Sequence, residues 1–537
     1  MKPASVPVII IGAGPVGVTA ALLLSRHGVD SVLLERHHDI YPLPRAVATD
    51  DEVCRILQAA GIGERFMATA RPARGLRLLD ARHRILARFD RTRTGRHGYP
   101  QTSMFDQPTL ERLLRTELAT RPGCDLRSGA EVTAVAPEPG GRVRVTYRDG
   151  EGTHQLLAEA VLGCDGSSSL TRQAIGAGWE DLHFEERWTV LDVRTPLPVR
   201  DWGGVDQVCD PRQPATFMRI SEDTYRWEFR LPDGEDLDGP DAQDLLRELV
   251  APWIDLAPDS DFQIVRRAQY TFHARVADRW REGRIFLLGD AAHLTPPFIG
   301  QGLCSGLRDA FNLTWKLAHV LNQGADERLL DSYQDERRPH ARHLIRVAVL
   351  TGWAMTGGQD QAAALRRAAV SAACRLPGSA TLATRGLSRP LPAGPLTPRR
   401  VRRHNLVGTI CPQPWTTRAG ARTRLDDCGG SSFTLLTATA LPPSIRAIAA
   451  GIGATVLDVH TLDDGGVLAS WLHTGRADAA LLRPDHVVLD VLPAGHGDFT
   501  STTTWSGLLY TTRRPATASS PETAAASCLD LVRSPAR

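Results

Sequence analysis

The sequence predicts a multidomain α/β and α+β protein. It opens on a βαβ unit, carries an antiparallel sheet in its middle and ends in a small α/β unit. Three observations support this. The apolar run Val6–Ile11 meets a glycine turn, a helical stretch Pro15–His27 and a second apolar run Ser31–Glu35. Alternating strand-like runs recur at Trp188–Thr195, Thr216–Ile220 and Thr224–Leu231. Strand-like runs at Ser432–Leu436, Thr455–Val459 and His486–Val491 alternate with helical patches. A chain of 537 residues is too long for one core, so two or three domains are expected.

Taken in order, Asp50–Ala60 reads as a helix. Leu76–Asp90 reads as a hairpin about Asp80–Arg84, and Phe105–Thr120 as a helix with an Asp-Gln-Pro start. Arg142–Tyr147 and Gln155–Leu162 are strands leading into Cys164-Asp165-Gly166. A helix near Ala242–Leu249 and a strand near Phe262–His273 complete the middle sheet. The strand Arg284–Leu288 and long helices over Gly302–Asn322 and Arg328–Leu350 return to the first unit. The expected division is residues 1–185 with 274–375, and 186–273 with a contribution from 76–100. A Pro/Gly/Arg-rich linker 376–403, a C-terminal domain 404–512 and a loose Ala/Ser/Thr/Pro-rich tail 513–537 follow.

Composition narrows the function. Lys and Arg (63) nearly cancel Asp and Glu (61), and no run of five like charges occurs, which argues against nucleic-acid and membrane partners. No run of 18 apolar residues suggests a membrane span, and the apolar start turns into a glycine loop rather than a signal peptide. Nine scattered cysteines with no CxxC and no Cys/His cluster fit reduced thiols in the cytoplasm and no metal site.

The chemistry lies in three motifs. Gly12-Ala13-Gly14-Pro15-Val16-Gly17 is a GxGxxG between strand and helix, a Rossmann-type signature. Gly12 permits the tight turn, Gly14 admits a pyrophosphate and Gly17 allows close helix packing, with Pro15 at the helix start. Glu35 ends the next strand at the spacing expected for a carboxylate on a ribose hydroxyl; it would repel a 2′-phosphate. Cys164-Asp165-Gly166 is the second motif. The third, Gly289-Asp290-Ala291-Ala292-His293, runs on through Pro296, Pro297, Phe298 and Gly300-Gln301-Gly302. Its Gly-Asp end can set a carboxylate on a ribityl or ribose hydroxyl, its prolines form a rigid wall, and its last glycines open backbone N–H groups to a ligand.

With these segments, and with Pro44–Ile62, Tyr333–Ala341 and Trp471–Val488, the sequence resembles the class A flavoprotein aromatic monooxygenases. Within them it resembles the 3-(3-hydroxyphenyl)propionate, phenol and polyketide hydroxylase group. The resemblance implies FAD as cofactor, NAD(P)H as a transient co-substrate, O2 and a small aromatic substrate. It implies hydroxylation of a phenol through a flavin C4a-hydroperoxide. FAD would be held by Gly12, Gly14, Pro15, Gly17, Glu35, Arg36, Arg45, Gln107, Val135, Asp165, Gly289, Asp290, Pro297, Gly300, Gln301 and Gly302. The C-terminal domain would be thioredoxin-like and, lacking CxxC, redox-silent; a homodimer is a possible assembly.

For catalysis, Asp50 is the expected base or phenol-orienting group, with Asp51 second and Arg45 near the flavin. The competing reading makes both aspartates helix N-terminal carboxylates. Tyr225, Pro296 and Phe298 are expected to contact substrate. Trp227 reads as sheet packing, and His293 as a structural hydrogen-bonding residue. Alternative activities are Baeyer–Villiger oxidation or epoxidation of an aromatic polyketide. A non-catalytic flavin-binding partner is the alternative of another class.

Overall fold

Strand β1 (Ala4–Ile11) lies at the centre of the first sheet, flanked by β2 (Ser31–Glu35) and β11 (Gly152–Gly163), both parallel to it. The computed structural model describes residues 4–42, 45–230, 242–257, 261–356, 389–397, 406–418, 420–495 and 497–509. The sheet continues outward through β8 (Cys124–Ser128) beside β2. On the other side, β18 (Ile285–Leu287) and β17 (Arg281–Glu282) lie beside β11. β10 (Val143–Asp149) pairs with β11 and with β9 (Glu131–Pro137). Its central parallel strands, β2, β18 and the carboxyl-terminal halves of β1 and β11, are buried apolar runs, as strands covered on both faces require. Helix α1 (Pro15–Arg26) packs on it beside α7 (Gly302–Gln323), which leads on to α8 (Asp331–Thr356). The turns after β1, β11 and β18 leave from the carboxyl ends of parallel strands. There the chain order reverses around β1, the place where open α/β sheets bind ligands.

The second sheet is built from β5 (Gly75–Leu79), β6 (Ile85–Asp90), β12 (Trp179–Arg194), β13 (Val205–Val208), β14 (Ala215–Arg219), β15 (Thr224–Phe229), β16 (Gln263–Ala277) and β19 (His293–Leu294). Its order is β19-β16-β12-β15-β14-β13-β5-β6. All pairs are antiparallel except β13 with β5. One face carries Leu191, Phe217, Tyr225, Trp227 and Phe229, buried beneath α6 (Ala242–Val250) and Trp253. Trp227 is fully buried there, so packing is its role. A small sheet of β3 (Ala48–Asp50), β4 (Arg71–Pro72) and β7 (Thr102–Met104) stands between the two large ones. α2 (Asp51–Ala59), α3 (Gly63–Thr69), α4 (Gln107–Leu118) and α5 (Leu170–Ala174) complete this part.

After the hairpin of β20 (Trp415–Arg418) and β21 (Ala421–Arg424), the C-terminal strands are β22 (Thr434–Thr437), β23 (Thr455–Asp458), β24 (Ala477–Leu482) and β25 (Val488–Pro493). Their order β23-β22-β24-β25, one parallel and two antiparallel pairs, with helices Pro443–Gly451 and Val467–Thr474 as crossovers, is the expected thioredoxin-like arrangement. β24 was not among the strands expected from sequence. The described cysteines are free.

Buried ion pairs tie this domain to the rest. Arg55 of α2 grips both oxygens of Asp426 at 2.6 Å and donates to the Cys411 carbonyl. Arg483 and Lys316 converge on Glu336 of α8. Burial would raise Glu336, but Arg483 and Lys316 hold it down to about 2; burial brings Lys316 to about 8. Lys316, one of only two lysines in the chain, is thus structural. Among the described residues no helix is long and apolar enough to cross a membrane, and no group of three or more His, Cys, Asp or Glu could hold a metal. The expected linker core and tail, and Pro44, lie outside the described residues.

Candidate active site

The glycine loop has the backbone a pyrophosphate requires. Gly12 has φ +97°, and a Cβ there would collide with the Cys164 carbonyl; a Cβ on Gly17 would collide with the Gly12 carbonyl. Gly14 is the N-cap of α1, and a Cβ there would meet nothing, so the space before the helix N-terminus is open. Pro15 takes the first helical position, where its missing N–H costs nothing. Glu35 accepts from the amides of Ala13 (2.8 Å) and His37 (2.9 Å), which fixes its carboxylate beside the loop. Arg36 is exposed just beyond it. Arg115 of α4, not foreseen from sequence, donates to the Ala13 carbonyl and sets a cation at the same place.

The second wall is the turn after β18. Asp309 of α7 accepts from Gly289 N (3.1 Å), pairs with His293 (2.7 Å) and takes Arg337 Nε (2.9 Å), pinning the turn from below. His293 is fully buried in this network, which makes it structural. Asp290 makes no hydrogen bond within the protein among the described residues and keeps an accessible face. The surrounding cleft pushes its carboxyl up, against His293 and Arg45. Pro296 precedes the 3-10 turn Pro297–Ile299, which ends at Gly300 in the left-handed region. Gln301 caps α7, and a Cβ on Gly302 would meet nothing. Phe298 packs edge-on against Phe184 and Trp188 of β12, so this turn touches the second sheet.

The third wall is the segment from Arg45 to Asp50. Gln107 accepts from Ala46 N (2.7 Å) and donates to Glu111. Arg45 is exposed, stacks over Tyr41 and offers its carbonyl to Arg226 (2.7 Å). Asp50 caps α2 by accepting from Val53 N (3.0 Å). Its other oxygen takes Arg308 at 2.6 Å and Gln301 at 3.1 Å. Burial would raise this carboxyl, but Arg308 and these donors hold it below the usual range. Arg308 also meets Glu52 at 2.9 Å and Gln301 at 2.8 Å.

These contacts revise several expectations. Asp50 has its lone pairs committed and is held ionised, so it is a poor proton acceptor; it locks the Gly300–Gly302 turn to α2. Asp51 points away, accepting from His97 N; burial pushes it up to about 7, with Asp50 adding to the effect. Asp165 adjoins Gly12, but its carboxylate is consumed by Ser169 and Thr171 of its own turn. Val135 is a core residue of β9. Tyr225 lies on the α6 side of the second sheet, the face opposite Arg226. The reason is strand parity: neighbours on β15 point to opposite faces.

The face that does meet the Arg45 segment carries Asp192, Arg226, Arg266 and Glu228, all buried. Arg226 forks onto both Asp192 oxygens (2.6 and 2.8 Å), Arg266 lies 3.6 Å from Asp192, and Glu228 lies 3.8 Å from Arg226. The sequence motifs do not point to this cluster. The signal was present in Tyr-Arg-Trp-Glu-Phe, where charge and aromatic alternate along one strand.

An open glycine turn at a helix N-terminus, a second-strand glutamate, an uncommitted aspartate and a proline-walled turn fit an extended dinucleotide carrying a flat ring system. They define an FAD-binding oxidoreductase fold. A family model for an FAD binding domain matches residues 5–348, and one for the HcaD C-terminal domain matches residues 408–504. A probable NADH-specific resorcinol 4-hydroxylase of Rhodococcus jostii is 34% identical over 90% of this chain and 91% of its own. A 3-(3-hydroxy-phenyl)propionate/3-hydroxycinnamic acid hydroxylase of Mycolicibacterium smegmatis is 32% identical over 91% and 90%. Among solved structures, the anhydrotetracycline hydroxylase OxyS of Streptomyces rimosus superposes with a TM-score of 0.76 at 25% identity, covering 94% of this chain and 99% of its own. The chain belongs to the FAD-binding family of flavin-dependent aromatic monooxygenases, enzymes that use NAD(P)H and FAD.

Proposed function

We propose that the chain hydroxylates a small phenolic ring, ortho or para to its hydroxyl, with NADH as the reductant. The observation that carries this reading is the apposition of two surfaces. The polar face of the second sheet meets the Arg45 segment through Arg226 and the Pro297–Gly300 turn through Trp188, which sets buried charged side chains beside the walls that fit FAD. The names of two relatives that each span about nine-tenths of this chain support a monocyclic phenol, and one supports NADH. Residues 186–273, with β5 and β6, would be the substrate-binding part, working in the cytoplasm, where NADH is supplied.

Bound in this cleft, FAD supplies electron transfer from NADH and activation of O2. The chain's residues do the rest. The Gly12–Gly17 turn and the α1 dipole would hold the pyrophosphate. Glu35 and Asp290 would accept hydroxyl protons from the sugar and ribityl parts. The backbone of Gly300–Gly302 would face the ring system, held in place by Gln301, Arg308 and Asp50. Phe298 and Trp188 exclude water where the second sheet meets this turn.

The test is oxidation of NADH and of NADPH by the yellow protein with resorcinol, 3-(3-hydroxyphenyl)propionate, 4-nitrophenol and a polycyclic phenol under ¹⁸O2. The expected result is NADH oxidation stimulated by a monocyclic phenol, with one ¹⁸O atom entering the ring. NADH oxidation indifferent to every phenol, or a product without ¹⁸O, would overturn it.

A further inference from the structure

Strand parity places one more carboxylate in this cleft. Across the second sheet, Glu228 of β15 stands opposite Val190 of β12 on one side and Thr216 of β14 on the other. This row lies on the face away from the aromatic core under α6. Along β12 the row is bracketed. Trp188, two residues before Val190, packs on Phe298 at 5.6 Å; Asp192, two residues after it, holds the Arg226 that donates to the Arg45 carbonyl. Glu228 therefore sits between the two turns that frame the flavin end of the cleft.

We infer that Glu228 is the catalytic residue that takes the phenolic proton. The inference rests on the phenol reading above. The O–H bond of the phenol breaks, its electron pair stays on the phenolic oxygen, and the proton forms an O–H bond on the Glu228 carboxylate. The ring oxygen becomes an anion, which makes the ring a better donor toward an electrophilic oxygen.

Charge balance supports the transfer. Among the described residues, the charged groups facing Glu228 are Arg226 from its own strand, Asp192 from β12 and Arg266 from β16; β14 presents the uncharged Thr216. Arg45 and Asp106 act one step further out, on Arg266 and Arg226. Two arginines face two carboxylates, so moving a proton from phenol to Glu228 leaves the sum unchanged and gives the cations a phenolate in place of a glutamate. Among the described residues Glu228 accepts no hydrogen bond from the protein, so its lone pairs remain for a ligand, whereas Asp192 is gripped by Arg226. Burial raises the Glu228 carboxyl while Arg226 opposes it.

The test is the affinity of FAD-loaded protein for 4-nitrophenol across pH, read from the flavin and phenolate bands without turnover. In the wild type the complex keeps one shared proton, so Kd should weaken about tenfold per pH unit above the pKa of the free phenol. Binding there should also take up about one proton, measured with an indicator dye. E228Q should flatten this dependence to less than about twofold per unit, because the arginines then favour the phenolate directly; E228D should retain it. If E228Q fails to keep FAD, E228A and E228D supply the same contrast. An unchanged slope in the neutral variants, or no proton uptake by the wild type, would overturn the assignment. A yellow wild type that binds none of the monocyclic phenols overturns the phenol reading instead.

Discussion

Asp50 and Glu228 approach the same cleft from different sheets, and their surroundings are opposite. Asp50 receives Arg308, Gln301 and the Val53 amide, and its carboxyl is held low. Glu228 has an arginine at 3.8 Å, and its carboxyl is raised. Both are largely enclosed acids facing a cation, so neither enclosure nor charge alone separates structure from chemistry. What separates them is the number of committed lone pairs. A carboxylate with three donors holds other parts in place; one with open lone pairs can take a proton.

The largest loss should come from removing Arg308. Arg308→Ala leaves the half-buried Asp50 and Glu52 without their cation, which should cost about 3 kcal/mol and release FAD. Thermal unfolding and the flavin content of the purified protein check this. Asp50→Asn should be milder, about 1–3 kcal/mol, because the amide still caps α2 while Arg308 keeps Glu52. Flavin retention should fall, but the enzyme that holds FAD should stay coupled. A coupling loss at full flavin occupancy would return the base to Asp50.

Asp51 sharpens the contrast through pH. Its folded carboxyl is raised to about 7 from 3.8, so the folded state binds the extra proton and stability falls as pH rises from about 4 to 7. Asp51→Asn removes that cost. It should stabilise the protein by up to about 4 kcal/mol at pH 8 and change little at pH 4, measured by denaturant unfolding at both values. The smallest effect should be Tyr225→Phe. The ring packs under α6, so KM for the phenol should change less than about twofold. A large rise in KM would put Tyr225 back in the cleft.

The cofactor half of the site was legible because its signals are local. A glycine that must turn at φ +97°, one that must leave space and one that must pack closely fall within six residues. Glu35 and Asp290 follow at strand ends, the positions from which their proposed roles are read. The substrate half was not legible because its geometry depends on which strands pair. Tyr225, Arg226 and Glu228 are neighbours in sequence, yet only β12 and β14 decide which of them face the cleft. Asp50 shows the same limit. Its helix-start position was read correctly, but Arg308 and Gln301 lie some 250 residues away, and they fix its chemistry.

The most direct measurement compares hydroxylated product formed per NADH consumed in Glu228→Gln and Asp50→Asn, each at full FAD occupancy, with H2O2 counted alongside. The expected result, with a phenol assayed well below its own pKa so that it arrives protonated, is that Glu228→Gln reduces its flavin normally, loses roughly 10²–10⁴-fold in hydroxylation and diverts electrons to H2O2. Asp50→Asn should convert NADH to product as efficiently as the wild type. A coupled Glu228→Gln enzyme beside an uncoupled Asp50→Asn enzyme would contradict the division of labour between the two carboxylates.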